Sequence, residues 1–241
     1  MDALIYSAMA GAERALKAQQ VRANNLANAG TTGFRADMEL AAHQAVAGFG
    51  YDARHMARLE ADAVRTRSGT LTATGRELDA AIVGDGLFAV QFGDGEAYTR
   101  SGAFSLDAEG RLQLDGRAVL GEGGPIVLPP STRYEIGADG SVLALAEGTQ
   151  EMQAIDRLKL VQAEPGTLRK NDAGLLVTRA GGPLPVSEEV QVRGGHLEGS
   201  NVSPVEEMVA TLQLNRDFEM QMKLFKAADE MAANGNRLLR E

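Results

Sequence analysis

The feature that most restricts this chain is its C-terminal end. Ser203-Pro204-Val205-Glu206 puts a hydroxyl residue at an N-cap, proline at the first helical position and a glutamate at the third, where it can reach back to the cap. Val205, Met208, Leu212, Phe218, Met222, Phe225, Ala232 and Leu239 then form a slowly drifting apolar stripe. A helix of about 35 residues is ~52 Å long. No core elsewhere in 241 residues covers such a helix along its length, so part of its apolar face needs a partner. Met208, Met220, Met222 and Met231 make that face adaptable rather than rigidly complementary.

The N-terminal end repeats the pattern. Ile5, Met9, Ala12, Leu16, Gln19, Ala23 and Leu26 recur at alternating steps of four and three, which places them on one helical face. Asp2 favours the helix start, and Asn28-Ala29-Gly30 supplies residues that tolerate a left-handed end. A helix of about 25 residues spans ~38 Å. The two helices are expected to pack as a coiled-coil-like pair, which buries only one stripe of each and leaves a residual apolar face.

At the end of the first helix stands NNLANAGTTGFR, Asn24 to Arg35. Asn24, Asn25 and Asn28 can bond backbone groups where the helix frays, Gly30 and Gly33 permit positive φ, and Phe34 can pin the outgoing chain. Turn chemistry does not explain why three asparagines crowd one turn, two of them at helical positions where their propensity is poor. Amides that bond across to a neighbouring helix or subunit would explain it.

The chain therefore divides into an N-terminal assembly helix (1–30), an extended linker (31–77), a β-rich outer module (78–200) and a C-terminal assembly helix (201–241). In the linker, the patch Ala41 to Ala47 suits a short helix, whereas Gly48, Gly50 and the polar run TRSGTLTATGRE suit an extended connection. In the module, LDAAIV, LFAVQF, AYTR, AFSLD, RLQLD, AVLG, IVLP, YEIG, SVLAL, IDRLKLV, LLVTR and VQVRG are short apolar runs separated by turn residues. Such spacing predicts an antiparallel sandwich or irregular barrel, and an α+β fold overall.

Composition removes several functional classes. A net charge of −9 argues against nucleic acid or an anionic membrane as partner, since both are approached through basic surfaces. The absence of cysteine excludes disulfides, zinc–thiolate sites and cysteine nucleophiles. No run of 18 apolar residues is present, so no membrane insertion is expected. The N-terminus lacks a basic region before its apolar stretch, and Glu13, Arg14 and Lys17 interrupt that stretch, so cleavage of a signal peptide is not expected.

Candidate chemistry reduces to structure on inspection. Gly84-Asp85-Gly86-Leu87-Phe88-Ala89 matches a dinucleotide fingerprint, but LFAVQF alternates as a strand where the fingerprint needs a helix, so Gly84 to Gly86 is expected to be a hairpin turn. The Asp-Gly pairs at Asp85, Asp94, Asp115 and Asp139 lack the ladder of oxygens a calcium loop requires. His43, His55 and His196 are scattered, and the adjacent carboxylates Glu188-Glu189 and Glu206-Glu207 point apart. No catalytic, cofactor-binding or metal residue is assigned, and no cofactor is expected.

NNLANAGTTGFR resembles the amide-rich signature of the bacterial flagellar rod and hook family, and LEGSNVSPVEEM is similar to that family's C-terminal signature. LDAAIVGDGLFAV and YTRSGAFSLDAEGRLQLDGRAVLGEGGPI resemble its β-rich module. The matches follow the family's order and cover most of the chain. Within the family, the opening MDALIYSAMAGA and the modest length are most similar to the proximal-rod members, with the distal-rod members as the alternative.

The resemblance implies a structural subunit, not an enzyme. Its terminal helices would polymerise with copies of itself and other rod subunits into a tubular shaft that crosses the periplasm and transmits torque. It also implies type III export through the flagellar apparatus. The assembly interface implied comprises Ile5, Met9, Leu16, Asn24, Asn25, Leu26, Asn28 and Phe34 at one end. At the other it comprises Ser200, Asn201, Val202, Val205, Met208, Leu212, Phe218, Met222 and Phe225. Two other classes remain as alternatives. A binding or adaptor module would be a stable monomer with ordered termini. An enzyme would need a deep pocket lined by His196 and paired acids.

Overall fold

The computed structural model describes residues 2–45, 55–146, 148–149, 151–164 and 166–238, with side chains excepted at 2–8, 39–45, 55–62, 232 and 235–238. The chain forms two units: Met1–Ala27, Asp37–Asp62 and Ser203–Glu241 in one, Asn28–Ala36 and Ala63–Val202 in the other. The fold is α+β, with a helix at each end and a β-rich centre.

In the first unit, helices α1 (Asp2–Ala27) and α2 (Pro204–Leu238) run antiparallel, as the Arg22–Glu207 and Gln19–Asn215 contacts require. Ser203 caps α2 by accepting the Glu206 amide at 3.5 Å, while the Glu206 side chain is exposed. At the end of α1 the expected left-handed residues do not occur at Asn28-Ala29-Gly30. The chain instead turns through a Thr31 amide bonded to the Asn28 carbonyl at 3.1 Å.

Strands β1 (Asp37–Ala45) and β2 (His55–Val64) pair with each other. The alanine patch expected to be helical thus begins as a strand, because cross-strand pairing outweighs the modest helical preference of a few alanines. Ala47, Gly48 and Gly50 lie outside the described residues.

Within the second unit every strand pairing is antiparallel. Strands β3 (Leu71–Ala73) and β4 (Ala80–Val83) pair with His196–Glu198 and Gln191–Gly194. Strands β5 (Leu87–Phe92) and β6 (Gly95–Thr99) form a hairpin at the centre of a five-stranded sheet, flanked by Leu160–Val161 on one side and by Leu176–Thr178 and then Leu168–Lys170 on the other.

The alternation in LFAVQF has a direct structural consequence. Phe88 and Val90 enter the larger apolar cluster, where Phe88 meets Phe104 edge-on at 5.2 Å, while Leu87 and Ala89 enter a second cluster on the opposite face. Both faces of β5 are therefore buried from Leu87 to Val90.

Three local expectations change. Gly84 to Gly86 is not a hairpin, since β4 and β5 belong to different sheets. IDRLKLV is not one strand: it divides between Gln153–Arg157 and Leu160–Val161, with Leu158 turned into the core at 1% exposure. Part of the polar run before Leu78 is strand β3, whose partner lies far along the chain and leaves no local signal.

Candidate functional site

The two helices of the first unit bury a seam that is not their most apolar one. On α1 it follows Gly11, Ala15, Ala18, Arg22 and Asn25, one position away from the predicted stripe; Ala18 and Asn25 are fully buried. On α2 it follows Glu207, Leu214, Gln221 and Ala228, one residue per heptad.

Small residues let the helices approach closely. A Cβ at Gly11 would lie 2.1 Å from Oε1 of Gln221. Polar contacts then fix the alignment: Arg22 Nη1 donates to both Glu207 carboxylate oxygens at 3.2 Å, and Gln19 Nε2 to Asn215 Oδ1 at 3.2 Å. Glu206 and Glu207 do point apart. The buried one, Glu207, carries an ion pair to which neither its own sequence context nor that of Arg22 called attention.

Most large apolar residues of the predicted stripes consequently face solvent, while Ala12, Gln19 and Leu26 at the edge of the seam are half-buried. Met9 is 63% exposed and Leu16 is also exposed. On α2, Val205 is 70% and Leu212 60% exposed, and Met208, Met222 and Phe225 are exposed with them; Phe218 alone of that set is half-buried. Val209, Met220, Leu224 and Met231 extend the exposed apolar surface. The side chains of Ile5 and Ala232, and the whole of Leu239, lie outside the described residues.

The amide-rich turn makes several contacts within the chain. Asn25 Nδ2 donates to the Asp37 carbonyl at 3.0 Å and its Oδ1 accepts the Asp37 amide at 2.9 Å, so one side chain imitates a strand partner for β1. Asn24 Nδ2 donates to Asp37 Oδ2 at 2.9 Å, and Asn28 Oδ1 accepts from the Thr31 hydroxyl at 3.2 Å. Leu26 is half-buried.

Gly33 has φ +68°, and a Cβ there would lie 2.1 Å from the Ser101 nitrogen, so only glycine fits. Phe34 is half-buried, with the Lys170 ammonium 3.8 Å from its ring centroid.

In the second unit the two quoted signatures meet. Glu198 is 1% exposed and receives Arg100 Nε at 2.7 Å, Arg35 Nη1 at 2.8 Å and the Gly69 amide at 2.7 Å. Burial pushes the Arg35 pKa down, and Glu198 acts against that shift. Asn201 joins three segments: its Oδ1 accepts the Ala36 amide at 2.7 Å, and its Nδ2 donates to the Arg65 and Arg67 carbonyls at 3.0 and 2.7 Å. Ser200 Oγ accepts the Val202 amide at 3.2 Å, and Val202 is buried. Arg35, Arg100 and Glu198 stand inside the quoted motifs, but their pairing is non-local and no spacing announces it.

Arg35 and Arg100 also line a cleft of about 440 Å³ with Arg65, Asp85, Leu87 and Glu164. His196 does not line it; its Nδ1 lies 2.9 Å from the Gly194 carbonyl. Among the described residues no group of His, Asp and Glu is placed to hold a metal, and no helix is long and apolar enough to cross a membrane.

Residues 5–35 match the flagella basal body rod protein family, 81–144 the D1 domain of flagellar hook proteins FlgE/F/G, and 193–238 the C-terminal part of the flagellar basal body rod proteins FlgEFG. These three segments contain the amide-rich turn, the β5–β6 sheet, and Glu198 with the whole exposed stripe of α2. The chain belongs to the flagellar basal-body rod protein family.

Within that family it is FlgF-like. It is 39% identical to flagellar basal-body rod protein FlgF of Salmonella typhimurium, with 99% of each chain covered, and 38% identical to that of Escherichia coli K12, again with 99% of each covered. It is 30% identical to flagellar basal-body rod protein FlgG of Bacillus subtilis, with 94% of this chain and 95% of the relative covered. Proteins of this family are structural parts of the flagellar basal body, not enzymes.

Proposed function

We propose that this chain is a subunit of the proximal part of the flagellar rod, polymerising through its terminal helices into a tubular shaft that carries torque across the periplasm. The observation that carries this reading is the exposed apolar stripe of α2, from Val205 through Met208, Val209 and Leu212 to Met231. It lies outside the seam already used by α1, so it is spare surface on a helix of 35 residues.

In this reading α1 and α2 form a coiled-coil-like pair. Ile5, Met9 and Leu16, with Val205, Met208, Leu212, Phe218, Met222 and Phe225, meet neighbouring copies and other rod subunits. Asn24, Asn25, Leu26, Asn28 and Phe34, with Ser200, Asn201 and Val202, lock the helix ends into the tube. The strands between about 78 and 200 form an irregular barrel or sandwich on the outside. Export runs through the flagellar type III apparatus with the N-terminus retained. The 39% and 38% full-length identity to the Salmonella and Escherichia coli FlgF proteins, against 30% to FlgG of Bacillus subtilis, supports the proximal over the distal position.

Leu212→Asp and Phe225→Asp test the reading, because each puts a charge where an apolar contact should form. Sedimentation should show loss of self-association with an unchanged circular dichroism spectrum, and a strain carrying either variant should be non-motile. Normal assembly and motility in both would overturn it.

A further inference from the structure

We infer that residues 28–36 form a clasp, held by Arg35 on Glu198, that closes onto the β-rich unit only after residues 196–202 are in place and opens before that unit's core does. The clasp contains no strand or helix. It is held by a few individual groups instead of a ladder. The Gly33 amide donates to the Glu198 carbonyl at 2.7 Å, the Asn201 amide to the Phe34 carbonyl at 3.2 Å, and the Ala36 amide to Asn201 Oδ1. Arg35 reaches Glu198 and the Arg67 carbonyl, and the Arg65 amide donates to the Ala36 carbonyl at 2.9 Å. Most of these partners lie near the far end of the unit's sequence.

The two arginines that meet Glu198 are not equivalent. Arg100 also donates to the Gly86 and Ile82 carbonyls and to the Ser68 hydroxyl, so it is fixed in the core independently of Glu198. Among the described residues Arg35 pairs directly with Glu198 and the Arg67 carbonyl alone. Until Glu198 arrives, a guanidinium buried to 6% exposure would lack its directly paired counter-charge and keep only the weaker attraction of Asp85, so the favourable place for it is water. Arg35 is thus the movable arm and Arg100 the fixed one.

Amide hydrogen exchange of the full-length monomer tests the clasp, and it does so without assembly, so its outcome is independent of the rod reading. The variant is Arg35→Met, which keeps the side-chain stem and leaves Glu198 paired to Arg100. The Gly33, Ala36 and Arg65 amides should exchange at least tenfold faster, while those of Ala89 and Phe104 in the core stay unchanged. A uniform increase that includes the core would overturn the proposal, as would no change at all. In wild-type refolding followed by pulse labelling, Gly33 and Ala36 should gain protection after Ala89. Protection at the same time or earlier would also refute the clasp.

Discussion

Replacing Arg100 by methionine should cost the β-rich unit about 5 kcal/mol, most of it from one buried carboxylate and two carbonyls. Arg100 is 1% exposed and makes four hydrogen bonds: to Glu198 Oε2, the Gly86 carbonyl, the Ser68 hydroxyl and the Ile82 carbonyl. Breaking a buried ion pair from one side costs about 3–5 kcal/mol. Arg35 remains beside Glu198 and keeps the loss near the lower end of that range, and each carbonyl that loses its donor adds about 1 kcal/mol. Domain stabilities run to about 5–15 kcal/mol, so the variant should be close to unfolding at ordinary temperature.

Arg100→Lys keeps the charge but loses the planar fork that serves Glu198 and the carbonyls together. It should cost about 2 kcal/mol. Urea unfolding of the full-length chain, followed by the strand circular dichroism, measures both through the shift in midpoint at constant slope. A Met variant within about 1 kcal/mol of wild type would refute the account, because a buried guanidinium so thoroughly bonded could not then be removed so cheaply. A Lys variant as stable as wild type would show that charge alone, without the fork, is what Glu198 needs.

Gly33→Ala meets both a φ of +68° and a Cβ position 2.1 Å from the Ser101 nitrogen, and should lose about 3 kcal/mol or more in the same urea assay. Tyr98 is buried, accepts the Leu184 amide at 2.6 Å, and burial raises its pKa to about 12. In unfolded chain a tyrosine ionises near about 10, so this contribution to stability is complete below that value and is lost as pH rises through about 12. Ultraviolet titration should show one late tyrosine that disappears in Tyr98→Phe, and the variant should show a weaker alkaline loss of stability; early ionisation of every tyrosine would refute it.

The sequence by itself determined the helices at the two ends, the β-rich centre and the family, because each is written in local signals. These are the Ser203-Pro204 cap, the spacing of Val205, Met208 and Leu212, the alternation of LFAVQF, and the two end signatures. What only the tertiary structure decided were the partners. Periodicity identifies an apolar face but not which face a neighbour takes, and here α1 and α2 met through Ala15, Ala18, Arg22 and Glu207, leaving Met9 and Leu212 outside. Close approach favours small side chains, and a large apolar stripe cannot serve the same seam.

The asparagines show the same limit. Their crowding was visible in the sequence, yet that Asn25 pairs with the backbone of Asp37 depends on where β1 passes. Glu198 and Arg35 gather across most of the chain for the same reason. A buried charge is stable only beside its counter-charge, and which residues meet is settled by the path of the whole backbone.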